Sequence, residues 1–402
     1  MIITKEEEMM LNGERGEGVQ KAMEIIVALG KIYGAKNLIK IESAHISGVS
    51  YKNLGDEGLE FLEEIANTGV KVSVKTTLNP AGIDLDFWET LGFKRDFAEK
   101  QIKIIKAYEK MGVKTTCTCT PYLTENKPNL GKHVAWGESS AIIYVNSVLG
   151  ARTNRESGIS ALASAITGRT ANYGLHLDEN RLADYKINVK CEVKGISDFG
   201  ALGYLIGKKI GNKIPYIIGV KSASLDELKA LGAAMAASGA IGLFHIEGIT
   251  PETNMKNMIK ENIEEIEITS LKEAYETLNS DVKDIDLVSI GCPHTSINEI
   301  TEIARLIRGR KIKTELWITT SRYLYNEAKK QGLIDVINEA GGKVIRDTCI
   351  IVAPIEDLGF KTLATNSGKM ALLAPLHSKV KVRFGNLNQC IKAALEGEWI
   401  DN

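Results

Sequence analysis

The residues best suited to chemistry in this sequence are its six cysteines, and their settings differ. Cys292 lies in Ile290-Gly291-Cys292-Pro293-His294, after an apolar run that reads as a strand. Ser296 and Glu299 follow in the spacing of a capping box, so a helix is expected to start there. The thiol then sits at the carboxyl end of a strand and beside a helix N-terminus. Open α/β sheets bind ligands in such places, and the helix end favours the thiolate that a metal requires. Cys119 closes the run Val113-Lys114-Thr115-Thr116-Cys117-Thr118-Cys119-Thr120 before Pro121 turns the chain. Cys349 follows Arg346-Asp347-Thr348 and leads into an apolar segment that Pro354 ends. Three cysteines at such positions could converge on one centre although they are far apart in sequence, or each could be a buried apolar filler, as free cysteine commonly is. Cys191 and Cys390 read as core residues. Cys117 is expected on the same strand face as Cys119 and stays open between the two roles.

Several glycine-containing turns suit an anion or a carboxylate, because backbone N–H groups approach a ligand closely where no Cβ intervenes. They are His45-Ile46-Ser47-Gly48-Val49-Ser50, Gly137-Glu138-Ser139-Ser140 and Thr365-Asn366-Ser367-Gly368-Lys369, the last adding a cation. Each also reads as a plain connecting loop. No Walker A motif and no dinucleotide fingerprint occurs. The histidines never fall into a metal-ligand spacing on one helix, which disfavours a zinc protease. His294 beside Cys292 is the one of interest, with a locally bonded turn residue as the alternative. Arg152, Arg155 and Arg169 gather around a helix expected to begin near Thr153, with Glu156 completing its capping box. One of them could reach a carboxylate substrate, or all could be solvated.

The elements that must position these groups alternate between strand and helix, the pattern of βαβ units and a largely parallel sheet. Val70, Val72 and Val74 alternate with polar residues and predict a strand that ends at Asn79-Pro80-Ala81-Gly82. Other expected strands cover 37–42, 113–119, 141–146, 214–220, 241–245, 287–290 and 379–383. Helical spacing joins Val19, Ala22, Met23, Ile26, Val27 and Gly30, and further helices are expected over 96–111, 225–237 and 321–330. There is no internal repeat and no low-complexity linker. With only 8 prolines, the lobes, expected near 1–130, 131–285 and 286–402, should pack against one another.

Composition narrows the class. A chain of 402 residues that is 44% hydrophobic has material for two or three domain-sized units. Lys and Arg total 50 against 51 for Asp and Glu, so no bulk field draws nucleic acid or an anionic membrane. The acidic N-terminus lacks the order of a secretory signal, and no apolar run approaches the ~20 residues of a membrane span. Six cysteines are too few for a disulfide scaffold, and the cytoplasm is the expected location.

Taken together, Ser47-Gly48-Val49-Ser50, Asn79-Pro80-Ala81-Gly82, Thr118-Cys119-Thr120-Pro121-Tyr122, Trp136-Gly137-Glu138-Ser139-Ser140, Gly291-Cys292-Pro293-His294 and Thr365-Asn366-Ser367-Gly368-Lys369 resemble the motif series of the aconitase X family. The resemblance runs over essentially the whole chain. It implies an α/β, aconitase-like large-subunit architecture with several lobes around an iron-sulfur cluster held by Cys119, Cys292 and Cys349. A 4Fe-4S cluster with three thiolates keeps one iron open to a substrate oxygen. The resemblance also implies substrate contacts from Gly48, Val49, Ser50, Asn79, Pro80, Glu138, Ser139 and Lys369. The expected activity is that of a hydro-lyase on a small hydroxy acid. The motifs are most similar to the branch that dehydrates mevalonate 5-phosphate in an archaeal isoprenoid route, and a related branch dehydrates cis-3-hydroxyproline. No base stands out in this chain. In split members of the family a small swivelling-domain subunit supplies the catalytic serine, and the roughly fifty residues after Cys349 leave no room for that domain here, so a heterodimer is expected. A non-enzymatic iron-sulfur or metal-binding protein is the rival class. It would need a fourth ligand, for which Cys117 is the obvious residue.

Overall fold

Short apolar strands alternating with amphipathic helices build three layered α/β units along the chain, each sheet covered by the helices that connect its strands. The computed structural model describes residues 1–401. The first unit holds helices α1 (Lys5–Leu11), α2 (Glu17–Ile32), α3 (Tyr51–Asn67), α4 (Arg95–Lys110), α5 (Ser139–Ser147) and α6 (Gly158–Thr167). Its strands are β1 (Leu38–Lys40), β2 (Ser43–Ile46), β3 (Lys75–Leu78), β4 (Ala135–Trp136) and β5 (Arg169–Ala171). β2 lies between β3 and β4, all parallel, while β1 and β5 pair antiparallel, so this unit continues past residue 130. α2 buries Ala22, Met23, Ile26, Val27 and Gly30 on one face, the stripe that the spacing predicts.

The second unit has the parallel order β8-β7-β6-β9, from β6 (Ala183–Val189), β7 (Pro215–Ile218), β8 (His245–Ile246) and β9 (Ile259–Ile268). Helices α7 (Gly195–Ile210), α8 (Leu225–Gly239) and α9 (Lys272–Leu278) belong to it. The third unit contains β10 (Leu287–Ile290), β11 (Glu315–Thr320), β12 (Lys343–Arg346), β13 (Thr362–Thr365) and β14 (Lys381–Phe384). They are parallel in the order β12-β11-β10-β13-β14. Helices α10 (Ile297–Ile307), α11 (Arg322–Lys330), α12 (Leu333–Ala340), α13 (Gly368–Ser378) and α14 (Leu387–Glu396) surround this sheet. Strand order reverses beside β10, which makes the crevice beyond the carboxyl ends of β10 and β13 the place for a ligand.

The units are welded rather than strung. One apolar core takes in Ile83 and Phe93 of the first, Ile187 and Phe244 of the second, and Leu287 and Trp317 of the third. The Ala81 N–H donates to Asp347 O at 2.7 Å. Buried Asp84 accepts from the Arg346 backbone N–H at 3.0 Å and from its guanidinium at 3.1 Å. No described helix is long and apolar enough to cross a membrane.

Several sequence expectations are corrected. Residues 70–74 are irregular, and the strand begins only at Lys75. The 113–119 segment is not a strand; it makes one isolated bridge, Thr77 to Lys114, and Cys117 takes φ +43°, so Cys117 and Cys119 do not share a strand face. Residues 141–146 lie in α5, a helix buried on every side, which erases the 3.6-residue period that would have marked it. The strand expected over 241–245 amounts to His245–Ile246. The helix expected near Thr153 starts at Gly158, capped by Ser157 and Ser160, because the Thr153 hydroxyl accepts the Trp136 N–H instead.

Candidate active site

The loops that leave the carboxyl ends of β2, β3 and β4 face those that leave β10, β12 and β13. Cys292 follows β10 through Gly291, whose φ is +116° and whose added Cβ would lie 2.3 Å from Thr319 O, so only glycine fits. The expected capping box of Ser296 and Glu299 is present at the start of α10. Cys349 lies beyond β12, and Cys119 beyond the irregular 113–118 segment. All three thiols are buried and line one small cavity of about 40 Å³, together with Asn79, Pro80, Glu138 and Lys369. A larger cleft of about 420 Å³ between α2, α3 and α6 is lined mainly by apolar side chains such as Ile25, Phe61, Ile159 and Leu162. Convergent polar chemistry is found in the small cavity, not in the roomy one.

One wall of that cavity is an ion pair held in a hydrogen-bond network. Lys369, in the first turn of α13, places Nζ 2.6 Å from Glu138 Oε1 and 3.4 Å from Ser139 Oγ. Glu138 is the N-cap of α5 and accepts from Ser140 Oγ at 3.0 Å and from Asn79 Nδ2 at 3.0 Å. Burial opposes ionisation of Glu138, but the Lys369 charge and hydrogen bond, with those of Ser140, outweigh it and bring its pKa down to about 2. Burial likewise works against the Lys369 charge, and Glu138 reverses the outcome and raises its pKa. Asn79 Oδ1 is buried beside the His45 ring, whose pKa burial lowers to about 4 against the opposing influence of Glu138 and Asn79.

The cysteine wall is of another kind. Burial pushes the Cys119 thiol well above its ordinary value, with Cys349 and Glu138 adding to the rise. Burial pushes Cys292 up to about 12 against the pull of Lys369, and it raises Cys349 against the N–H groups of Val352 and Ile351. Burial thus favours the protonated thiols, and a metal bound here would have to displace those protons. Among the described residues no three His, Cys, Asp or Glu side chains converge closely enough to hold a single ion. Thiolates that bind different irons of a cluster stand further apart than the ligands of one ion. Three soft donors around one cavity therefore fit an iron-sulfur cluster and not a mononuclear centre.

Other candidates fall outside the cavity. Gly48 has φ +69° and lines a separate outer cleft, and Val49 is buried in the first unit's core. Ser50 caps α3 and donates through Oγ to Val352 O at 2.8 Å, so it supports the cavity wall from behind. Cys117 lies in the first core and Cys390 in the third, while Cys191 is half-buried at the edge of the second unit. Arg152 pairs with Asp178, Arg155 donates to Ala240 O and Arg169 pairs with Glu6 and Glu7, so the arginines hold the fold and not a substrate. His294 is fully buried, and burial lowers its pKa to about 4. Sequence reasoning missed Thr118 and Thr348, both bonded to His294, although each forms a Thr-Cys pair with a candidate ligand. It also missed buried Lys229, which pairs with Asp226 and Glu299; its spacing from Asp226 reads as an ordinary surface pair.

Three family models match in succession: aconitase X first domain over residues 1–179, second domain over 183–276 and third domain over 285–396. The chain belongs to the aconitase X family. The phosphomevalonate dehydratase large subunit of Methanocaldococcus jannaschii is 50% identical over 401 residues, covering 98% of this chain and 100% of that one. A cis-3-hydroxy-L-proline dehydratase of Hypocrea jecorina is 38% identical over 96% of this chain but 67% of its own length. The crystal structure of Thermococcus kodakaraensis aconitase X in its holo-form superposes with a TM-score of 0.92 at 48% identity, covering 98% of this chain and all of that one.

Proposed function

We propose that the chain is the large subunit of a phosphomevalonate dehydratase, a hydro-lyase that removes water from (R)-5-phosphomevalonate to give trans-anhydromevalonate 5-phosphate in the archaeal mevalonate pathway. The observation that carries this reading is 50% identity with nearly complete coverage in both directions to a relative of that name. The hydroxyproline branch is more distant, and this chain spans only 67% of such a relative. The site agrees for a physical reason. A secondary ammonium on a proline ring calls for a free carboxylate, and Glu138 already has its counter-charge in Lys369.

In this reading Cys119, Cys292 and Cys349 hold the cluster, of the 4Fe-4S type with one open iron. When bound, it supplies a Lewis acid that eases departure of hydroxide and loss of the proton beside the carboxylate. The remaining tasks fall to the chain's own groups. Asn79 holds Glu138 in place through Nδ2, and Pro80 closes the cavity beside it. Lys369, Glu138 and Ser139 form a neutral, preorganised polar wall that orients the substrate without reorganising. Lys369 therefore does not act as a free cation for the phosphate, contrary to the simplest reading of its motif. The N-termini of α5 and α13, which carry Glu138 and Lys369 at the cavity, turn their dipoles toward a dianion bound there.

A base is the missing part. Glu138 is held as a paired carboxylate, and both ring nitrogens of His294 are engaged. The proton acceptor is placed, as the family resemblance implies, on a small swivelling-domain subunit, in keeping with the relative's designation as a large subunit. The complex is placed in the cytoplasm. The test is direct: the chain, loaded anaerobically and mixed with the small subunit, should dehydrate mevalonate 5-phosphate and neither mevalonate nor cis-3-hydroxyproline at a comparable rate. Faster turnover of hydroxyproline, or equal turnover of unphosphorylated mevalonate, would overturn the assignment.

A further inference from the structure

We propose that His294 is the positioning residue that assembles the three-cysteine set, fixing the segments that carry Cys119 and Cys349 to its own Cys292 loop. The inference rests on the reading of those cysteines as cluster ligands. Each hydrogen-bonding group of His294 is used, and each partner lies in a distant part of the sequence. Its backbone N–H donates to Cys119 Sγ at 3.2 Å. Its Nδ1 lies 2.9 Å from Thr118 Oγ1, and its Nε2 lies 2.9 Å from Thr348 O. Its carbonyl accepts from Lys229 Nζ at 3.2 Å.

The chemistry of these partners fixes the ring. A carbonyl oxygen can only accept, so Nε2 carries the hydrogen, and Nδ1 of the neutral imidazole accepts from the Thr118 hydroxyl. Thr118 Oγ1 also accepts from the Thr120 N–H at 3.2 Å and lies 3.1 Å from Thr120 Oγ1, whose hydroxyl donates to it when the Thr118 proton goes to Nδ1. Thr118 precedes Cys119 and Thr348 precedes Cys349. One imidazole therefore clamps the chain next to two sulfurs and sits two residues from the third. Lys229 extends the clamp into the second unit, with its charge answered by Asp226 and Glu299. The N–H directed at Cys119 Sγ gives that thiolate a hydrogen bond, one of the levers that tune a cluster. Hydrogen-bond partners that hold metal ligands typically contribute 10–100-fold to affinity.

The test reads the clamp separately from the cluster. In the metal-free full chain, iodoacetamide labelling of each cysteine is followed by peptide mass for wild type, His294→Ala and His294→Gln. His294→Ala should raise labelling of Cys119 and Cys349 well above wild type, with Cys390, in a separate core, unchanged. His294→Gln keeps an N–H for Thr348 O and should restore protection at Cys349 more than at Cys119. After anaerobic loading, the alanine variant should also lose iron and sulfide to a chelator on the order of tenfold faster. Equal labelling of Cys119 and Cys349 in wild type and His294→Ala overturns the clamp. If Cys390 labelling rises as well, the alanine variant has unfolded and the glutamine variant decides: unequal protection supports the clamp, uniform labelling overturns it. Full iron and sulfide in Cys119→Ser, Cys292→Ser and Cys349→Ser would sink the ligand reading instead, an outcome independent of the labelling contrast.

Discussion

The two walls of the cavity solve opposite problems with the same resource, burial. On the cysteine wall burial keeps three groups neutral, so the proposed ligands carry protons that metal binding would displace. On the Glu138–Lys369 wall burial surrounds two charges that hold each other in the charged form. In the proposed reading the first wall is completed by a cofactor, and the second is finished on folding. The contrast teaches that cysteine variants should act through metal content with little change in the fold, whereas variants of the pair should act through stability before any metal is added.

The largest expected effect tests the cysteine wall. Cys119→Ser, Cys292→Ser and Cys349→Ser should each lose most of the iron and sulfide and at least ~100-fold in turnover, because a hydroxyl is a poor ligand for a soft cluster. Cys191→Ser and Cys390→Ser should keep both. Elemental analysis with visible and electron paramagnetic resonance spectra decides, and unaltered content in all five variants would break the comparison at its base. Next in size is the missing base. The purified chain without its small partner should turn over ~10²–10⁴-fold more slowly than the pair, the usual contribution of acid-base groups. Robust turnover by the chain alone, with no small protein co-purifying, would return the base to this chain.

The pair gives the next effect. Lys369→Met leaves Glu138 buried without its counter-charge and should destabilise the metal-free chain by ~3–5 kcal/mol, while Glu138→Gln with Lys369→Met should recover most of that and remain inactive. The pH dependence has a definite sign. Glu138 sits at about 2 in the folded chain against its ordinary 4.5, so the wild-type contribution is complete above about 4.5 and is lost as pH falls toward 2. In Lys369→Met the buried carboxyl is raised instead, and stability should fall as pH rises above 4.5. Denaturant midpoints should fall on the acid side of pH 4.5 in the wild type and on its alkaline side in Lys369→Met, and parallel profiles would mean that the pair is not coupled.

Legibility from sequence followed local rules. The capping box at Ser296 and the strand before Cys292 set that thiol correctly, because both are written within ten residues. The same holds for α2, α4, α8 and α11, whose stripes or caps survive in the fold. α5 was misread as a strand because a helix buried on every side has no period to read. The bonds of His294, Thr118 and Thr348 span 176 and 54 residues, and no local pattern announces them. Lys369 was read as a cation, and its pairing was not legible, because its partner Glu138 is 231 residues away.

The smallest expected effect tests whether the cysteine wall has three members or four. Cys117 is two residues from Cys119, yet it takes φ +43°, lies in the core of the first unit and does not line the cavity. Burial pushes its thiol well above the ordinary value, with Asp347 adding to the rise. Cys117→Ser replaces a weakly polar sulfur with a buried hydroxyl beside the Ala81 N–H, at a cost of up to roughly 1–3 kcal/mol in stability. Serine meets the positive φ no worse than cysteine, so backbone strain is unchanged. Iron, sulfide, spectra and turnover should therefore equal those of the wild type after loading at a temperature where the variant is folded. Loss of the cluster in this variant would make Cys117 a fourth ligand and close the open iron. That outcome would turn the site into the electron-transfer or structural centre of a non-enzymatic protein.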